Sequence, residues 1–141
     1  MENKGTSEVS NIEKIVPIPS SGKFFRAWLE VLKPLHHLTD REIDLLAAFI
    51  QKRYELQRTI LNPNMVDSIL MTSASKAEIR KSVGISTAYL HNMMAKFKKN
   101  KVLLDDPNIR GGRINPQYIP PLSAEDKELR LLFIFVNPND Y

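Results

Sequence analysis

The sequence predicts a mainly α-helical domain with a small β-hairpin or three-stranded sheet, placing it in the α+β class. Three observations predict it. Apolar residues recur at three- and four-residue intervals through most of residues 23–100, and Ser or Thr stands three residues ahead of Glu at two helix starts. Beyond Lys101 the period shortens to two apolar stretches separated by a segment with Pro and Gly.

The first twenty residues lack a helical period, and Pro17 and Pro19 favour an extended path, so residues 1–20 are read as an arm. Phe24, Phe25, Trp28, Leu29 and Leu32 then follow helical spacing until Pro34, giving a short helix with an aromatic core face. Thr39 and Glu42 form a capping box, in which hydroxyl and carboxylate each satisfy an otherwise unpaired amide, so a second helix begins near Asp40. Ile43, Leu46, Ala47, Ile50 and Tyr54 line one face of it, widened by Leu45 and Phe49, until LNPN interrupts the pattern after about Arg58.

MVDSILMT, opened by Asn64, makes two turns of helix. Ser75 and Glu78 suggest a further capping box and a helix from Lys76 to Val83, with Ile79 and Val83 inward. Gly84 ends that helix because it accepts the left-handed conformation a Cβ resists. Ser86 caps the next helix, which carries Leu90, Met93, Met94 and Phe97 on one side. VLL then reads as a strand, DDPNIRGG as a loop and RINPQYIP as the returning strand. ELRLLFIFV, residues 128–136, is apolar on both alternating faces and suits a strand covered on both sides. The expected organisation is an arm over 1–20, a core over 21–122 and a strand extension over 123–141.

The totals exclude several functions. The 141 residues carry no Cys, which rules out disulfides, thiolate zinc sites and Cys nucleophiles. The polar, acidic start is unlike a signal peptide, and no run nears the roughly 20 apolar residues of a membrane span, so a cytoplasmic protein is expected, with a virion as the alternative location. His36 and His37 stand near Asp40 and Glu42 without a third ligand at metal spacing, and read as loop residues. There is no phosphate loop, dinucleotide turn or Ser elbow. No catalytic residue, cofactor, metal or small-molecule substrate is expected, and Met65, Met71, Met93 and Met94 read as core filler.

Two capped helices joined at Gly84 and followed by strand, loop and strand resemble a winged helix-turn-helix domain over roughly Leu38 to Pro120. Val83, Gly84, Ile85, Leu90 and Met93 match the turn and its apolar anchors, and Ile79 the apolar position one turn earlier. The pattern departs at Arg80 and Lys81, where such motifs usually place a small residue. A small winged domain with extensions at both ends is also similar in style to head and tail connector proteins of tailed bacteriophages.

The resemblance implies that the second helix enters the major groove of duplex DNA, with Ser86, Thr87, Ala88, His91 and Asn92 outward. The same short polar residues are also ordinary capping composition. From Lys76 to Lys101 seven basic residues face one acid, Glu78, a local excess in a chain whose formal charge is only +4. Lys96, Lys98 and Lys99 are therefore candidate phosphate contacts, although lysines at a helix end also complement its dipole. Arg110 and Arg113, flanking two glycines, are placed at the wing tip.

Two readings follow. The first is a nonenzymatic DNA-binding protein with a regulatory, replication or packaging role. The second is a structural or adaptor subunit, a homo-oligomer or part of a larger assembly, joined through residues 1–20 and 128–136. In the first, residues 128–136 can equally form a third strand within the domain.

Overall fold

A computed structural model describes residues 23–122, 129, 134 and 136–140. Its helices are α1 (Lys23–Val31), α2 (Lys33–His36), α3 (Asp40–Gln57), α4 (Pro63–Leu70), α5 (Ser73–Val83) and α6 (Thr87–Lys99). A two-stranded antiparallel sheet follows, β1 (Leu103–Asp106) with β2 (Ile109–Ile114), then a 3-10 turn at Pro116–Tyr118. The protein is mainly helical with a small sheet, the α+β class its sequence predicts.

The arm expected over 1–20 lies outside the described residues. So do residues 128, 130–133 and 135 of the expected C-terminal strand; Leu129, Ile134 and Val136 are described and are not in a strand, and Ile134 is 74% exposed.

Helix α3 is the central element, packing against α1, α4 and α5, while β2 lies on α4 and β1 on α6. Ile43, Leu45, Leu46, Phe49 and Ile50 of α3 are all buried, as the apolar period required. Its start is the expected capping box: the Thr39 hydroxyl accepts from the Glu42 amide, and the Glu42 carboxylate from the Thr39 amide at 2.9 Å. The Trp28 indole donates to the Tyr118 carbonyl at 2.8 Å, and Gln57 to that of Leu122 at 3.2 Å, which ties the segment after β2 back onto α1 and α3. Between α3 and α4, Arg53 Nε donates to the buried Asp67 carboxylate at 2.8 Å.

Four local readings are corrected. Pro34 does not end the first helix; α1 stops at Val31, and Pro34 sits in the first turn of α2, where its missing N–H costs nothing. Asn62, not Asn64, caps α4, accepting from the amides of Asn64 and Met65. Helix α5 starts at Ser73 because the Thr72 hydroxyl accepts the Ser75 amide, while Ser75 itself is buried and donates to the Ile69 carbonyl at 2.7 Å. Glu78 pairs instead with Lys52 of α3.

His36 is also not a loop residue. It closes α2, buried, and the Leu38 amide donates to its Nδ1 at 3.0 Å. The proton therefore rides on Nε2, which donates to the Leu29 carbonyl at 2.7 Å. Both ring nitrogens are thus satisfied, as buried polar groups require.

Candidate nucleic-acid interface

The turn between α5 and α6 forms as the glycine requires. Gly84 has φ 78°, and the Gly84 and Ile85 amides both donate to the Arg80 carbonyl, closing α5. The departure at Arg80 has a structural use: its guanidinium reaches across the turn to the Ile85 carbonyl at 3.1 Å. Arg80 thus braces the junction where a small residue was expected, and its long stem occupies the surface.

Ser86 caps α6, its hydroxyl accepting from the Tyr89 amide. At 100° per residue, Leu90 and Phe97 form the buried stripe of α6, with Met93 and Met94 half-buried beside them. The opposite arc exposes Thr87, Ala88, His91, Asn92, Ala95, Lys98 and Lys99, within about 140° of rotation. Helix α6 contains no acid. The expected residues Thr87, His91 and Asn92 therefore share this open face, with Lys98 and Lys99 further along it, while Ser86, also exposed, precedes it as the helix cap.

Lys96 is different. Its ammonium pairs with the Glu42 carboxylate of α3, whose side chain is only 5% exposed. Burial pushes the Glu42 carboxyl up, but the hydrogen bonds from Lys96 and the Thr39 amide outweigh it and hold it below the ordinary value of 4.5. Lys96 therefore docks α6 onto the start of α3. Because its folded pKa is depressed, Glu42 contributes stability that is present above about pH 4.5 and is lost as pH falls through the folded value. Glu42→Gln keeps the capping box, since Gln serves at that position, but removes the ion pair. Lys96 is half-exposed, so solvent screening limits the expected loss to about 1 kcal/mol near neutral pH. Urea melts at pH 7 and pH 3.5 check it: the difference between wild type and variant narrows in acid.

The C-terminal end of α6 is a Schellman closure, with Lys101 N–H donating to Lys98 and Val102 N–H to Phe97 at 2.8 Å. Lys101 takes the left-handed conformation, φ 64°, where glycine is usual.

The hairpin is tighter than its sequence suggested. Asp106 pairs with Ile109, and the Asp106 carboxylate accepts the Asn108 amide at 2.9 Å, so Pro107 and Asn108 form the tip. Arg110 and Arg113 are not at the tip but within β2. The glycines between them serve a bulge: the register is irregular between Leu104 and Asp106, and Gly111 and Gly112 have φ 94° and 84°. A Cβ on Gly112 would lie 2.5 Å from the Leu104 carbonyl oxygen, so only glycine lets β2 come that close.

Moving the tip changes the electrostatics. Asp105 approaches Lys98 at 3.8 Å, and Asp106 approaches Arg113 Nε at 3.6 Å. The Lys98–Asp105 pair is exposed and worth only about 0.2–1 kcal/mol, so an incoming phosphate can displace Asp105, whereas Asp106 is mostly covered and held by the Asn108 amide. Arg110 is exposed, and Lys76, Lys99, Lys101 and Arg110 have no carboxylate partner among the described residues, while Lys81 lies near the Glu78 carboxylate that Lys52 already holds. Sequence reasoning missed the roles of Glu42, Asp105 and Asp106, whose partners are set by packing and by the hairpin register.

Among the described residues no helix is long and apolar enough to cross a membrane, and no group of three His, Cys, Asp or Glu could hold a metal. No protein-family model matches the chain, and neither a curated protein nor a solved structure matches it closely enough to lend it a function.

Proposed function

We propose that this chain is a nonenzymatic duplex-DNA-binding protein of winged helix-turn-helix type, with α6 laid in the major groove. The observation that carries the reading is the exposed face of α6, free of acids, running from Thr87 through His91 and Asn92 to Lys98 and Lys99, with Ser86 exposed at its cap. Asn pairs bidentately with adenine, hydroxyls serve bases or phosphates, and the lysines neutralise backbone charge. Arg110 and Arg113 of the hairpin are assigned as further phosphate contacts, a role for the strand rather than for its tip.

Lys101 supports the reading from a second direction. A side chain held in the left-handed region costs about 1–2 kcal/mol, and glycine would remove that strain at the end of α6, yet a cation stands there. Lys101→Gly is expected to gain up to about 1 kcal/mol in a urea melt, after allowing for the greater freedom of glycine in the unfolded chain. It is also expected to lower the salt dependence of DNA binding by about one charge.

The direct test is fluorescence anisotropy of a random-sequence duplex titrated with the protein at low and moderate salt. Micromolar or tighter binding that weakens linearly in log salt is the expected result. No binding at low salt overturns the reading.

The adaptor reading is favoured by one observation. Leu61 is 95% exposed and Met65 53% exposed at the start of α4, an apolar edge that DNA binding leaves unused. Deleting residues 1–20 and weighing the product in solution tests whether assembly depends on the arm.

A further inference from the structure

Beside the face of α6, one cation is held without being neutralised. The guanidinium of Arg41, in the first turn of α3, lies over the Tyr89 ring of α6 at 4.8 Å from its centroid. Arg41 is exposed, while Tyr89 is half-buried against the core.

Acids surround Arg41 in sequence, and each is engaged elsewhere. Asp40 and Asp44 both pair with Arg26, and Glu42 pairs with Lys96. Arg41 has no carboxylate partner among the described residues. Nor does helix stability explain its position, because a cation in the first turn opposes the helix macrodipole.

Its neighbourhood is the interface. Tyr89 and Lys96 are seven residues apart and so share one stripe of α6, and Asn92 lies next to that stripe on the exposed side. Arg41 and Glu42, consecutive in α3, meet that stripe at two points. A guanidinium held over an aromatic face spends none of its N–H donors on a carboxylate, and those donors can match two phosphate oxygens at once.

We infer that Arg41 is a phosphate-binding residue at the Asn92 edge of α6, held ready by its cation–π contact with Tyr89. The inference rests on the DNA-binding reading, names a contact from outside the helix-turn-helix segment, and makes Tyr89 a positioning residue. Arg41 would clamp the duplex backbone as α6 seats in the groove.

The test is anisotropy on the full chain with a random-sequence duplex across a salt series, with thermal melts of every protein. Arg41→Ala is expected to weaken binding severalfold at low salt and to reduce the salt slope by about one. Arg41→Lys is expected to restore the slope but not the full affinity, since it keeps the charge and loses the planar fork. Tyr89→Leu is expected to lose part of the Arg41 effect and to add no further loss when combined with Arg41→Ala. Wild-type binding with an unchanged slope in Arg41→Ala overturns the assignment and leaves the DNA-binding reading standing, whatever the melting shift. Absence of salt-dependent binding by the wild type overturns both.

Discussion

Replacing Lys98 and Lys99 together by Glu is expected to reduce affinity for a random-sequence duplex by well over tenfold at low salt. The slope of log affinity against log salt should shrink by about two charges. Both lysines are exposed at the open end of α6 and neither contributes to the core, so the fold should hold, with only the modest loss of stability that follows from removing the Asp105 pair and two charges that complement the helix dipole. That separation matters because the obvious third candidate, Lys96, does not offer it. Lys96 is paired with the buried carboxylate of Glu42, and reversing its charge would set two carboxylates against each other at the α3–α6 junction. A loss of binding in a Lys96→Glu variant would mix misplacement of α6 with loss of a phosphate contact.

The reciprocal change is as informative. Asp105 sits near Lys98 and competes with phosphate for it, so Asp105→Asn is expected to tighten binding modestly. Glu55→Gln makes the same change in net charge on the exposed side of α3 and serves as the control. If Lys98→Glu with Lys99→Glu binds as wild type does across the salt series, the face of α6 does not hold DNA. The basic end of the helix would then be a solvated terminus that complements the dipole.

Phe97→Ala is expected to be the most destabilising single substitution on α6, at about 3–5 kcal/mol. Phe97 is fully buried, and its carbonyl also accepts the Val102 amide that turns the chain into β1. The ring therefore anchors the helix on the core, while the backbone bond that roots the hairpin is one alanine keeps. Domains of this size have about 5–15 kcal/mol in total, so such a loss leaves the fold marginal at best. Urea denaturation followed by far-ultraviolet circular dichroism measures it. A loss below about 1 kcal/mol would mean that α6 is not seated on the core through this ring.

Much of this fold is legible in the sequence because its signals are local. The capping box at Thr39 and Glu42, the glycine at 84 and the cap at Ser86 act within one turn of helix, so their chemistry appears as short-range spacing. The buried face of α3 appears as a period of 3.6 residues for the same reason. Where two local solutions compete, sequence spacing cannot rank them. Thr72 and Ser75 each offer a cap, and the choice fell to Thr72, with Ser75 buried and bonded to the Ile69 carbonyl.

The hairpin shows the limit in another form. DDPNIRGG contains two places to turn, and the glycines looked like the tip, yet Pro107 and Asn108 make the turn while Gly111 and Gly112 let β2 bulge against the Leu104 carbonyl. That choice carries Arg110 and Arg113 from the tip into the strand.

By itself, then, the sequence determined the helical class, the order of the longer helices and the hairpin, the starts of α1, α3 and α6, and the polar, acid-free face of α6. Only the tertiary structure decided which charges are available on that face. Lys96 meets Glu42 from 54 residues away, and Arg41 meets Tyr89 across two helices. A charge is neutralised by whatever packs within a few ångströms of it, and spacing along the chain does not encode that distance once the helices have crossed.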